Sequence, residues 1–152
     1  MMKTAADVMT TDVLTVTPDT PVTEVAGLLV NNRITAVPVV SREGQLLGMV
    51  SEDELIRSAE AHREPDQAWW LTLLTSTTAE LKEFMGQGDR KVEEVMSRDV
   101  MIASEGDSLR KLVAMLAQRR IRQLPIVRGG RLVGIVSRVD ILRYLARERT
   151  VL

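Results

Sequence analysis

Cysteine is absent from this chain of 152 residues, which removes disulfide staples, thiolate nucleophiles and Cys-ligated metal from consideration. The one histidine, His62, lies in a polar stretch, so neither a His-based triad nor a histidine metal site is expected. Aromatics number only four, two Trp, one Tyr and one Phe. None of them interleaves the arginines of "QRRIRQLPIVR", so a stacking surface for nucleic acid is not expected. No stretch approaches the length of apolar sequence that a membrane-spanning helix needs. The opening "MMKTAADVMTTDVLTV" has no apolar run resembling a secretion signal. No P-loop pattern occurs, and Gly86-Gln87-Gly88 lacks the rest of a dinucleotide fingerprint. These absences lead to the expectation of a soluble cytoplasmic protein that is not an enzyme and touches neither membrane nor nucleic acid.

What remains is a globular composition, 45% hydrophobic and 27% charged, on a chain long enough for one ordinary core. The net charge of −1 conceals an uneven distribution. Residues 1–89 carry 6 Lys+Arg against 14 Asp+Glu, a net −8, while residues 90–152 carry 14 against 7, a net +7. An acidic half joined to a basic half suits a polyanion at the basic end, or self-pairing in which unlike halves meet.

The chain states one pattern twice. "VMTTDVLTVTPDTPVTEVAGLLVNNRITAVPVV" (8–40) aligns without a gap on "VMSRDVMIASEGDSLRKLVAMLAQRRIRQLPIV" (95–127), an offset of 87. Past a one-residue deletion, "GQLLGMVSEDELI" (44–56) matches "GRLVGIVSRVDIL" (130–142). Such self-similarity is the mark of an internal duplication. Each copy reads alike: a short apolar run ("VLTV", "VMIA"), a helix, a β-branched run, a Gly turn, a second strand and a second helix. Thr20 with Pro21 at N1, and Asp107 in the second copy, are the expected helix caps. Val22, Val25, Ala26 and Leu29 form one apolar helical stripe, and Leu109, Leu112, Val113 and Leu116 form its counterpart. Pro38 and Pro125 cannot donate to a ladder, which places them at an edge or a strand start. Gly44, Gly129 and Gly130 are expected to make the hairpin turns. The order is β-α-β-β-α, twice, an α/β (α+β) chain whose two small units are expected to pack with pseudo-two-fold symmetry.

The repeated "hPhV…G-x-h-h-G-h-h-S-x-x-D" pattern resembles a CBS-domain pair, or Bateman module, of the bacterial stand-alone type. The resemblance covers residues 5–57 and 92–147, with 58–91 as an inter-repeat helical segment. Ser51-x-x-Glu54 and Ser137-x-x-Asp140 each fall where a strand turns into a helix. Two readings stay open there. A capping box would use the serine and the carboxylate on backbone amides. Alternatively, the helix start would take a phosphate and the short carboxylate ribose hydroxyls, which is what the resemblance implies for Ser137 and Asp140. Glu54 is one methylene longer than the family's usual Asp, so the first site is expected to be vacant or to hold a different nucleotide.

The resemblance further implies an adenine slot between the first strand and the proline-bearing strand of each copy. In the second copy these are Ile102, Ala103, Leu124, Pro125 and Ile126; in the first, Thr15, Val16, Val37, Pro38 and Val39. Backbone groups would read the base, and the same side chains suit plain core equally well. Arg119, Arg120, Arg122 and Arg128 surround the second helix–strand junction. They either complement a helix C-terminus and stay solvated or grip phosphate, for which Arg120 and Arg122 are the better candidates.

Between the copies, "AWWLTLL" holds adjacent tryptophans that point about 100° apart on a helix. One is expected on its own domain and the other at a homodimer or partner interface. The reading is a non-catalytic regulatory module binding AMP, ADP or ATP in a cleft between the repeats, chiefly through the second, with NAD or S-adenosylmethionine as alternatives. It is expected to form an antiparallel disc-like homodimer that signals to a regulated protein. The rival is a ligand-free scaffold that docks a partner through the tryptophan segment.

Overall fold

The computed structural model describes residues 3–61, 90–118 and 121–151. The expectations for His62, Trp69, Trp70, Arg119 and Arg120 therefore lie outside the described residues. In chain order the elements are α1 (Ala5–Val8), α2 (Val22–Asn32), β1 (Ala36–Val40), β2 (Leu46–Ser51) and α3 (Glu52–Ala61). A 3₁₀ turn (Val92–Glu94) follows, then β3 (Ala103–Ser104), α4 (Leu109–Gln118), β4 (Gln123–Arg128), β5 (Arg131–Ser137) and α5 (Arg138–Val151). The chain is mixed α+β; the second repeat follows the expected β-α-β-β-α order, whereas in the first the expected initial strand is reduced to a single bridge of Val16 to Val39. Among the described residues no helix is long and apolar enough to cross a membrane.

The chain divides into two compact units. One comprises Met1–Leu14, Arg42–Leu46 and Asp99–Leu152; the other comprises Thr15–Ser41 and Leu47–Arg98. The units are thus not the sequence repeats. The lead-in 3–14 belongs with the second repeat's strands and helices, and residues 92–98 belong with the first's.

In the unit of the second repeat, β3, β4 and β5 form one sheet in that order, β3 parallel and β5 antiparallel to β4. Gly129 (φ 58°) and Gly130 (φ 82°) both take left-handed backbone, which a two-residue hairpin turn demands and a side chain resists. Leu124, Ile126 and Val136 share one sheet face and bury against Leu112 and Leu116 of α4 and Ile141 of α5. Val113, expected in the same helical stripe, is 42% exposed. At 100° per residue it has turned away from the stripe through Leu112 and Leu116. In the other unit, β1 pairs with β2, and Val22, Val25 and Leu29 of α2 pack on Val37, Val39 and Val50. There the expected stripe is the buried face.

Three local expectations are corrected. The N-cap of α2 is Pro21, without a side-chain bond, because the Thr20 hydroxyl turns back to accept the Thr17 N–H at 3.1 Å. The cap of α4 is Ser108, whose hydroxyl accepts the Lys111 N–H at 3.2 Å. Asp107, one residue early, closes the preceding turn by accepting the Ser104 N–H at 2.8 Å. Pro125 lies inside the central strand rather than at an edge. The tolerance has a reason visible in the first copy. Val16 donates to the Pro38 carbonyl at 3.0 Å and Val40 donates to the Val16 carbonyl at 2.9 Å. The proline nitrogen, on that same side, faces the stretch ahead of the bridge, where no ladder has begun. β3 likewise starts only at Ala103, opposite Ile126, so Pro125 withholds an N–H that nothing there requires.

Candidate functional site

The second Ser-x-x-Asp motif sits where β5 passes into α5. Asp140 is only 7% exposed, a buried carboxylate that must be satisfied by donors. Its Oδ2 accepts the Ser137 N–H at 2.8 Å and the Ser137 hydroxyl at 3.0 Å. The Asp140 N–H in turn reaches Ser137 Oγ at 3.2 Å. Carboxylate and serine therefore form the capping exchange that a helix start favours. The other oxygen, Oδ1, accepts the Thr10 hydroxyl at 3.1 Å and a long contact from Arg143 Nη1 at 3.4 Å.

Thr10 is the member that sequence reasoning missed. It arrives from 130 residues away through a bridge to β5, in which Thr10 and Ile135 exchange N–H···O bonds of 2.8 and 2.9 Å. The available signal was the repeat of "VMT" as "VMS", whose polar residue has no local role.

The first motif is built alike but less completely. Ser51 donates both its N–H, at 2.8 Å, and its hydroxyl to Glu54 Oε2. The longer side chain reaches the cap as readily as aspartate does. Glu54 is half-buried, whereas Asp140 is buried.

The sheet register sorts the remaining candidates. Leu124 and Ile126 are fully buried in the core cluster, and Ala103 is 4% exposed within it. In the first copy Val16, Val37 and Val39 are core in the same way. Pro125 lies on the opposite face of β4, beside Gln123, and Pro38 stands correspondingly in β1. Ile102 is 47% exposed, and Thr15 is exposed.

Gln123 was not among the sequence candidates. It is the direct cross-strand partner of Ser137, and its Oε1, sealed from solvent, has no hydrogen-bond partner among the described residues. A buried acceptor left unpaired costs about 1–3 kcal/mol.

The described arginines of the second repeat are engaged differently from one another. Arg128 makes a two-pronged pair with Glu105, its Nη2 lying 2.7 Å from Oε2. That guanidinium holds the Glu105 carboxyl below the usual carboxylate range, and Glu105 raises Arg128 in turn. Arg122 is exposed. At the end of α4 the described donor is Arg138. It donates to the Leu116 carbonyl at 3.1 Å, an acceptor in the last turn of α4, and to the Ile121 carbonyl beyond it at 3.3 Å. In the first copy the same position is Glu52, which carries no donor for such a bond.

A family model for the CBS domain matches residues 5–61 and 92–147. The CBS domain-containing protein YhcV of Bacillus subtilis is 32% identical over 140 residues, which are 92% of this chain and 84% of that protein. Among solved structures, CBSX2 in complex with AMP superposes with a TM-score of 0.75 at 23% identity, over 97% of this chain and 98% of that one. The CBS domain pair of protein MJ0100, in complex with 5′-methylthioadenosine and S-adenosyl-L-methionine, gives 0.68 at 21%, over 97% and 99%. At these identities the two structures speak for the fold.

Proposed function

Because the chain belongs to the CBS-domain family, we propose that it is a non-catalytic cytoplasmic regulatory module whose second repeat binds an adenosine-containing nucleotide. The observation that carries this reading is the pairing of a sealed, unpartnered Gln123 Oε1 with the Ser137–Asp140 helix start on the neighbouring strand. An acceptor without a donor is relieved by a ligand hydroxyl or amino group arriving beside it. The adjacent helix start supplies amides and a dipole suited to phosphate, and Asp140 can exchange its serine and threonine donors for ribose hydroxyls. The complexes of CBSX2 with AMP and of MJ0100 with two adenosine compounds support this ligand class. AMP, ADP and ATP come first, with NAD and S-adenosylmethionine as alternatives.

Binding regulates only through a difference in affinity between two conformations. A ligand that pulls Asp140 away from Thr10 favours one placement of the lead-in segment over another, and a regulated protein would sense that choice. We further propose a homodimer, acidic half against basic half. Val139, Leu142 and Leu145 present an exposed apolar row on α5, beside Arg143 and Arg147. Ile56 is exposed on α3, whose first turn is Glu52, Asp53 and Glu54. Opposite charges flanking two apolar helix faces make a second copy the fitting occupant.

The scaffold reading keeps one observation in its favour: both carboxylates already serve as caps, so neither needs a ligand. A thermal-shift panel of AMP, ADP, ATP, NAD and S-adenosylmethionine separates the two. Ligand at 100 times its dissociation constant stabilises by about 2.7 kcal/mol. The nucleotide reading expects a shift that Asp140→Asn abolishes and Glu54→Gln spares, each variant being compared with its own ligand-free melt. No shift with any compound establishes the scaffold instead.

A further inference from the structure

A pocket of about 190 Å³ lies in the unit of the second repeat, between the lead-in segment and α5. Asp7 and Thr10 line it on one side, and Asp140, Arg143, Tyr144 and Arg147 on the other. It shares Asp140, Thr10 and Arg143 with the site above but none of the strand residues assigned to a base.

The charges lining it are not evenly committed. Asp7 is engaged in closing α1, accepting the Thr4 N–H at 2.8 Å and the Thr4 hydroxyl at 3.2 Å. Asp140 accepts from Ser137, Thr10 and Arg143. Burial, with the Glu148 carboxylate nearby, pushes the Tyr144 pKa up, so it stays neutral. On the basic side Arg143 spends a single 3.4 Å contact on Asp140 and remains 57% exposed. Arg147, one turn later, has no hydrogen bond or ion pair among the described residues.

Two guanidiniums four residues apart on a helix share a face and repel. A compact anion between them removes that repulsion and takes the forked donors in the geometry they favour. The duplication supplies an internal contrast. At the offset of the second helix, Arg143 corresponds to Arg57, but Arg147 corresponds to Ala61 and Tyr144 to Ser58. The first repeat therefore lacks the second guanidinium, and its Ser58 hydroxyl instead accepts from Arg90 at 2.7 Å.

We propose that the pocket between α1 and α5 is an oxyanion site in which Arg143 and Arg147 grip a phosphate group, either inorganic phosphate or a phosphate monoester. Its volume falls below the ~300–1,000 Å³ typical of sites for drug-sized ligands, and its polar walls suit a small hydrated anion. The site does not depend on the nucleotide reading.

Amide NMR of the full chain at constant ionic strength tests it, with inorganic phosphate, ribose 5-phosphate and phosphate-free adenosine as separate titrants. Inorganic phosphate should shift the amides of Met9, Thr10, Arg143 and Tyr144 saturably. Arg147→Ala, exposed within the protomer, should weaken binding by roughly tenfold, equivalent to about 1.4 kcal/mol, while leaving the far-UV circular dichroism of the ligand-free chain unchanged. Arg147→Lys should recover part of the loss. Ribose 5-phosphate binding tighter than inorganic phosphate would identify a monoester as the ligand, and the reverse order would identify the free ion. Non-saturating shifts, equal binding by Arg147→Ala, or adenosine moving the Arg143 and Tyr144 amides as phosphate does would each overturn the site, whereas Met9 and Thr10 moving with adenosine alone belongs to the ribose contact of the nucleotide reading. Adenosine moving only amides around Gln123 and Ser137 would bear on the nucleotide reading and leave this one standing.

Discussion

Met9 lies across Gly134. A Cβ built on that glycine would stand 2.7 Å from the Met9 Sδ and 3.0 Å from the Thr10 carbonyl oxygen. The other unit repeats the relationship: a Cβ on Gly48 would stand 2.5 Å from the Ser97 carbonyl oxygen and 3.1 Å from the Met96 Sδ. The glycine that leads each "GMVS" or "GIVS" phrase is thus the floor on which a Met-Thr or Met-Ser segment lies. Both contacts are backed by N–H···O pairs, Thr10 with Ile135 and Met49 with Ser97.

Gly134→Ala and Gly48→Ala should both destabilise by about 1–3 kcal/mol, the usual cost of overpacking. Gly48→Ala should be the worse, because its nearest obstacle is a backbone oxygen rather than the far end of a flexible methionine. Urea unfolding gives both values. Met9→Ala combined with Gly134→Ala should recover part of the Gly134→Ala loss, since the sulfur is then gone. Full additivity of the pair would refute the packing account.

Acid should weaken the fold through carboxylates already engaged in it. Asp7 is held low chiefly by the Thr4 N–H, Glu105 by the Arg128 guanidinium and Asp107 by the Ser104 N–H. A depressed folded pKa means the unfolded chain takes up protons first. The stabilisation is therefore complete above the unfolded carboxylate values, near ~4, and disappears as pH falls through the lower folded ones. Asp107→Ala should be less stable than the parent at pH 7, with the two curves converging as pH falls through the lowered folded value. A constant gap across that range, measured by denaturant unfolding, would remove Asp107 from the linkage.

The α5 row predicts a change of association state. Leu142 is 64% exposed, so Leu142→Glu should leave the monomer folded while converting a dimer to monomers in sedimentation velocity. Raising salt from about 50 mM to about 0.5 M should weaken the parental dimer as well, because the flanking charges are then screened. A parental chain that sediments as a monomer, or a Leu142→Glu dimer, would contradict the proposed pairing.

Much of the second site was legible from spacing alone. Ser137 and Asp140 stand three apart at a strand-to-helix junction, and the structure joins them as a cap. Gln123 was not legible, because its significance is a missing partner, and a sequence does not record which acceptors remain unpaired after packing. Arg128 and Arg138 illustrate the same limit. They stand at opposite ends of the β4–β5 hairpin, where one pairs with Glu105 and the other donates to the Leu116 carbonyl of α4. Side chains of equal charge and reach are sorted only by where the backbone delivers their stems.

The linear pattern by itself determined the duplication, the hairpins turned by Gly44 and by Gly129-Gly130, and the helix face through Val22, Val25 and Leu29. Each of these follows from local dihedral freedom or from periodicity within a few residues. Tertiary structure alone decided which copy's lead-in lies on which glycine. Met9-Thr10 and Met96-Ser97 are near-identical, as are their floors at Gly48 and Gly134, so local preference cannot choose between them. The choice made here, Met9 on Gly134 and Met96 on Gly48, is what brings Thr10 to Asp140. It rests on burial of the whole chain rather than on any segment's own conformation.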